Sequence, residues 1–182
     1  MIPMTNNNPP ELLKQQIQQQ LSRLLKQLQD VENDKEMLDS EEEYLEIKKE
    51  TLQQMKEFQN TLDQIGKNDE LLRDDIKSFR MAVRAACVET FKTLEIIQMF
   101  AQQNTNQIKE KLSSLETSFR LHKISEQEYI SQKTEILGVL QKLNSPLTNE
   151  QEQFLKKHMN SKLKEFIGSD EFEKNILSNI KN

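Results

Sequence analysis

Ile17, Leu21, Leu24, Leu28 and Val31 recur at spacings of four, three, four and three residues. Such a repeat keeps its apolar side chains together only on an α-helix, and the seam it forms must be covered by another helix. Leu13 and Leu25 broaden the seam. Lys35 takes the next seam position before Leu38, so the strict repeat lasts only about two heptads. That length suits an antiparallel hairpin within one chain and a pairing between two chains equally well. Helix breakers are scarce, with three Gly and four Pro among 182 residues, which removes the turn chemistry that sheets depend on. An apolar fraction of 35% is too low for a thick core. It fits thin helical layers, in which each helix needs one apolar stripe. The chain reads as all-α, with no segment patterned as a strand and no repeat of fixed period.

Residues 1–10 contain Asn6-Asn7-Asn8-Pro9-Pro10 and read as a disordered N-terminus, with Pro10 suited to the first turn of the helix that follows. Residues 11–66 form a leucine-rich antiparallel helical hairpin, a short coiled coil. Its turn lies in the segment Glu32 to Glu43, which holds seven acids in twelve residues. Ser40 and Glu43 stand at capping-box spacing and open a second helix from about Glu41 to Ile65. Its apolar positions are Leu45, Leu52, Met55, Phe58, Leu62 and Ile65, and Gly66 is placed to end it.

Residues 67–122 read as middle helices. Asn68 or Asp69 caps one that runs through Leu71, Leu72, Ile76, Phe79, Val83 and Cys87. A break is expected near Thr93, after which Ile96, Ile97, Met99 and Phe100 continue the helical signal. Gln102 to Asn106 reads as a loop, and a helix from about Asn106 to Leu121 follows with Ile108, Leu112, Leu115 and Phe119 on one stripe. Residues 123–168 form a further helical domain. Ser125 with Glu128 caps a helix to about Leu143, and Asn144-Ser145-Pro146 turns the chain. Thr148 with Gln151 then opens one helix carrying Phe154, Leu155, Met159, Leu163 and Phe166, ended by Gly168. Residues 169–182 are a short tail with weak helical character at Phe172, Ile176, Leu177 and Ile180.

The net charge of −5 disfavours nonspecific binding to nucleic acid or to an anionic membrane. Residues 11–66 hold 13 acids and 7 bases, and the remainder is close to neutral. No signal peptide and no membrane-length apolar run is present, which makes the cytoplasm or nucleus the expected address. Cys87 is the single cysteine and sits in an apolar run, so it reads as a helix residue packed inward and not as a reactive thiol. His122 and His158 have no Cys or His at ligand spacing, so no metal is expected. Three isolated glycines build no phosphate cradle, and no nucleophile motif appears. Glu41-Glu42-Glu43 lacks the spacing of a calcium loop and reads as a solvated helix start. Lys156, Lys157, Lys162 and Lys164 read as a solvated face. With no catalytic residues and no cofactor implied, the chain is expected to act by binding other proteins. Tyr129, Lys133 and Ile136 share one helical face at i, i+4 and i+7. Spacing alone permits two accounts of them: a docking face, or two core residues with a lysine at the rim.

The run Tyr129-Ile130-Ser131-Gln132-Lys133, followed by Ile136-Leu137, Leu140-Gln141-Lys142-Leu143, Leu147-Thr148 and Glu152-Gln153-Phe154-Leu155, resembles the helical domain of the inhibitor of β-catenin and Tcf, the ICAT family. Lys48-Lys49-Glu50-Thr51-Leu52, Glu57-Phe58 and Phe91-Lys92-Thr93 resemble the longer members known as leucine zipper and ICAT-homologous domain proteins. The resemblance implies an ICAT-like helical domain that docks on an armadillo-repeat protein of the β-catenin class, a role in Wnt signalling, and Tyr129, Lys133 and Ile136 as the docking residues. It does not extend to the inhibitor's acidic, groove-binding tail, because residues 156–182 hold six Lys against four acids. The rival expectation is a scaffold or homodimer built through the N-terminal seam, without armadillo binding.

Overall fold

The computed structural model describes residues 9–168, which divide into two compact units at the step from Cys87 to Val88. The division falls inside the segment 67–122 that the sequence groups as middle helices. Of residues 1–10, read from sequence as a disordered N-terminus, Pro9 and Pro10 are helical because proline is tolerated in a helix's first turn; residues 1–8 and the tail 169–182 lie outside the described residues. Every regular element described is helical.

The first unit holds α1 (Pro9–Asn33), a 3-10 turn (Asp34–Glu36), α2 (Glu41–Asn68) and α3 (Arg73–Cys87). Both prolines of α1 lie in its first turn, where their missing N–H costs nothing. The heptad seam is buried, from Ile17 to Val31, and Leu25 widens it enough to meet two helices. Cross-helix contacts show the pairing to be antiparallel: Gln27 Nε2 donates to Thr51 Oγ1 at 3.3 Å, while Glu32, later in α1, meets Lys48, earlier in α2, at 2.7 Å. The third helix, α3, packs on this hairpin through Ile76, Phe79, Ala82, Val83 and Ala86.

Three details of this unit differ from the sequence reading. The buried positions of α2 are Tyr44, Thr51, Met55 and Leu62, while Leu45 is 54% exposed. Polar residues take the inner face because their polar atoms are satisfied there: Thr51 Oγ1 donates to Ile47 O at 3.1 Å and accepts from Gln27. Gly66 does not end α2, which continues to Asn68. It makes room instead, since a Cβ at that point would stand 3.1 Å from Ile76 Cγ2. Asp69 Oδ1 accepts from Leu71 N at 3.0 Å, turning the chain so that Leu72 is buried and Leu71 left exposed. Cys87, the last residue of α3, is half-buried, and burial pushes its thiol pKa up against a smaller opposing effect of Lys56. The thiol is therefore held protonated, the inert state.

The second unit holds α4 (Leu94–Gln102), α5 (Thr105–Arg120), α6 (Glu126–Lys142), α7 (Asn149–His158) and α8, helical over 161–168. The break at Thr93 and the loop before α5 stand close to where the sequence puts them. All residues from Thr134 to Leu140 are buried, so this stretch of α6 is enclosed, and α4, α5 and α7 pack against the helix. Glu135 is buried among them. Its Oε1 accepts from Lys92 N at 2.7 Å, and Thr93 contributes further hydrogen bonds, so the carboxylate satisfies backbone donors ahead of α4. Burial nevertheless raises its pKa. Phe166 of α8 packs edge-on against Phe91 and Phe100, each 5.1 Å away between ring centres.

The helix expected to run from Thr148 to Phe166 is two. Met159 is extended, and Asn160 Oδ1 accepts from Leu163 N at 2.9 Å, opening α8. The break folds Leu163 back over Gly138. At Thr148 both reciprocal bonds of a capping box form. Ser40 and Ser125 each cap the backbone three residues on, and Glu43 reaches Asp39 N at 3.3 Å instead of completing a box with Ser40.

The helices α3, α4, α5 and α6 stop without glycine. Glu89, Gln103, His122 and Asn144 all adopt φ between 54° and 58°. At the end of α5, His122 N donates to Phe119 O and Lys123 N to Ser118 O at 2.9 Å, a Schellman closure. An L-residue pays for the left-handed conformation, so His122→Gly is expected to raise stability by about 1 kcal/mol. A higher urea midpoint with unchanged slope would show it; an unchanged midpoint would mean that the imidazole makes a compensating contact.

Candidate interaction corner

Ser125 starts the site. Its Oγ accepts from Glu128 N at 3.2 Å and fixes the first turn of α6. Tyr129 follows, its N–H donating to Ser125 O, and Lys133 stands one turn later on the same face. Both meet Glu116 of α5. Tyr129 Oη donates to Glu116 Oε2 at 2.6 Å, Lys133 Nζ lies 2.8 Å from Glu116 Oε1, and Lys133 Nζ donates to Tyr129 Oη at 2.9 Å. The three side chains close a ring of charge-assisted hydrogen bonds between α5 and α6.

Aromatic rings surround that ring of bonds. Phe119 of α5 stacks on Tyr129 with centres 4.0 Å apart and planes 8° from parallel. Phe154 of α7 meets Tyr129 at a steep angle, and Lys133 Nζ lies 4.6 Å above the Phe154 ring. His158 packs on Phe154, with ring centres 4.6 Å apart. Three helices are thus joined at one corner.

The electrostatics follow from this arrangement. Burial tends to raise the pKa of Glu116, but the hydrogen bonds from Lys133 and Tyr129 and the Lys133 charge outweigh it and hold the carboxyl below its usual value. Burial tends to lower the pKa of Lys133, but Glu116 and Tyr129 outweigh it, and the ammonium sits above its usual range. Burial and Glu116 together raise that of the Tyr129 phenol. All three groups hold their neutral-pH charge states across the physiological range. None of the three donates or takes a proton near pH 7.

The sequence singles out Tyr129, Lys133 and Ile136, and the structure treats them differently. Tyr129 and Lys133 are half-buried and reach the surface at the corner. Ile136 is 0% exposed and supports the helix from within, so no partner reaches it without opening the unit. Its i+7 spacing matches the face, but α6 is enclosed at that level, and depth is not readable from spacing. Glu116 was overlooked. The signal for it is the pair of polar heads on α6, which require a carboxylate from the neighbouring helix. The exposed Lys156, Lys157, Lys162 and Lys164 are shared between α7 and α8 and do not face the corner as one helix stripe. Among the described residues no group of three or more His, Cys, Asp or Glu side chains is placed to hold a metal, and no helix is long and apolar enough to cross a membrane.

Residues 115–180 match the family model described as Beta-catenin-interacting protein ICAT. The match begins one residue before Glu116 and spans α6, α7 and α8, so the whole corner falls within it. No solved structure matches this chain.

Proposed function

From the ICAT-family region at residues 115–180, we propose that this chain is a non-enzymatic interaction protein that docks on an armadillo-repeat protein of the β-catenin class. The corner of α5, α6 and α7 makes the contact. Tyr129 presents a rigid aromatic edge and Lys133 a charged one, while buried Ile136 holds both in register. The observation that carries the reading is the coincidence of the family match with a corner whose side chains are held in place by one another. The protein works in the cytoplasm or nucleus, where such partners act.

The test is calorimetric titration of the full chain into an armadillo-repeat domain, beside Tyr129→Ala/Lys133→Ala. The wild type is expected to bind, and the variant to bind at least about tenfold more weakly while keeping its helicity. Wild-type binding absent at about 50 μM would sink the proposal.

The scaffold alternative draws on the N-terminal seam. In a single chain the seam is already covered by α2 and α3, with Leu21, Leu24 and Leu25 buried. A homodimer through those leucines would have to displace that intramolecular packing. Equilibrium sedimentation is expected to return the monomer mass, and a dimer would favour the alternative.

A further inference from the structure

The corner of the second unit has a counterpart in the first. Residues 40–48 read Ser-Glu-Glu-Glu-Tyr-Leu-Glu-Ile-Lys, and residues 125–133 read Ser-Glu-Gln-Glu-Tyr-Ile-Ser-Gln-Lys. In both, the serine is an N-cap that accepts from the backbone N–H three residues on. The two tyrosines in these segments are the only ones in the chain. In both, the preceding helix supplies a glutamate. Tyr44 Oη donates to Glu32 at 2.9 Å, Lys48 Nζ lies 2.7 Å from Glu32, and Lys48 Nζ donates to Tyr44 Oη at 3.2 Å. This reproduces the Glu116–Tyr129–Lys133 ring bond for bond. The surroundings differ: where Phe119 stacks on Tyr129 and Phe154 borders it, Lys35 Nζ stands 4.7 Å over the Tyr44 ring, and Tyr44 is the more deeply buried of the two.

A ring of hydrogen bonds by itself only fastens a hairpin. The side chains left outside it point further. Met37, in the turn, is 83% exposed, and Leu45, next to Tyr44, is 54% exposed. At the other corner Leu121, also in the turn, is 57% exposed. Three of the large apolar side chains left in solvent therefore lie at these two corners.

We infer that the α1–α2 corner is a second docking surface for the same class of partner, an armadillo-type repeat protein, and that the chain holds such a partner at two points. The inference rests on the proposed function of the α5–α6 corner. A repeat protein offers near-identical surfaces at successive repeats, and a chain with two copies of one corner is matched to that repetition. Tyr44 is buried, so it serves as the support, and Met37 and Leu45 make the contact. Charge specifies the site on the partner. The segment from residue 32 to 43 carries seven acids and one lysine, with Met37 exposed within it and Leu45 just beyond, so the surface it meets is basic and offers apolar contacts. Two linked contacts bind more tightly than either alone, because the second forms at high effective concentration.

The experiment uses the full chain and an armadillo-repeat domain. Met37→Lys/Leu45→Lys changes exposed positions only, and Met37→Lys alone, in the turn between helices, guards against any disturbance of α2. Both are expected to keep wild-type helicity and melting, and the double variant to weaken binding at least about tenfold. Unchanged affinity in both variants overturns the inference and leaves the Glu32–Tyr44–Lys48 ring as a hairpin fastener. In that case loss of binding in Tyr129→Ala/Lys133→Ala shows that the proposed function still stands. A wild-type chain that does not bind overturns both.

Discussion

Gly138→Val is expected to cost the second unit about 3 kcal/mol or more, enough to unfold a marginal domain at physiological temperature. A Cβ at Gly138 would lie 2.9 Å from Leu163 Cδ1, 3.1 Å from Cδ2 and 3.2 Å from Cγ. Leu163 is itself buried, so its side chain has little space to retreat into. Valine adds two methyls beyond that Cβ and is stiff about χ1. Gly138→Ala separates the contributions. Alanine gains about 1 kcal/mol of helix propensity, so the overpacking cost is the net change with that gain added back. Combining it with Leu163→Ala should cost less than the sum of the two single changes, because the second relieves the first. Chemical denaturation of the four proteins tests this, and strict additivity would mean that α8 does not rest on α6 at this point.

Glu116→Leu is expected to be the next most damaging change, at about 2 kcal/mol. It strands the Lys133 ammonium, whose side chain is only 16% exposed, and leaves the Tyr129 hydroxyl without its acceptor. The glutamate's own partial exposure keeps the loss below that of a fully buried pair. The contribution also depends on pH, with a sign fixed by the shifts. The Glu116 pKa is lowered in the fold, so its stabilisation is complete above the ordinary value of 4.5 and fades as pH falls below it. Lys133 is shifted upward, so its contribution is complete below 10.5 and is lost as pH rises beyond that. Glu135 opposes the acid limb: its raised pKa means that the fold takes up a proton more readily than the unfolded chain, offsetting part of the loss as pH falls. The gap between wild type and Glu116→Gln should therefore be flat between those limits and narrow outside them. A gap that stayed constant down to pH 3 would show that the carboxylate is held by packing and not by charge.

The all-helical class and the N-terminal hairpin were readable because the seam from Ile17 to Val31 is a strict repeat of apolar side chains, and only a helix gives such a repeat one face. The caps at Ser40, Ser125 and Thr148 were readable for a similar reason, since a serine or threonine oxygen has a fixed reach to the third residue on. What escaped was written in polar residues. Thr51 and Tyr44 stand in the core of the first unit because partners on α1 satisfy them, and no hydropathy pattern marks that. The break at Asn160 escaped because neither Gly nor Pro announces it; the amide side chain does the capping unaided. At the corner, Tyr129 and Lys133 were visible as one face, but their third partner lies on another helix, and the identity of Glu116 depends on how α5 and α6 cross. The matching nonamers at 40–48 and 125–133 were legible in the letters. They acquire meaning only when both are seen to close on a glutamate from the preceding helix.

The enclosure of α6 has a consequence for how the second unit opens. The backbone amides from Thr134 to Leu140 sit in a stretch of helix whose every side chain is buried, which places them among the last to reach water by fraying or local opening. They should exchange hydrogen for deuterium together, at a rate set by the cooperative unfolding of the unit as a whole. The exposed amides of α7 should exchange earlier. The slowest block in an exchange experiment would then report the global stability of the second unit in plain buffer, and binding of a partner at the corner would register there as further slowing of the same amides.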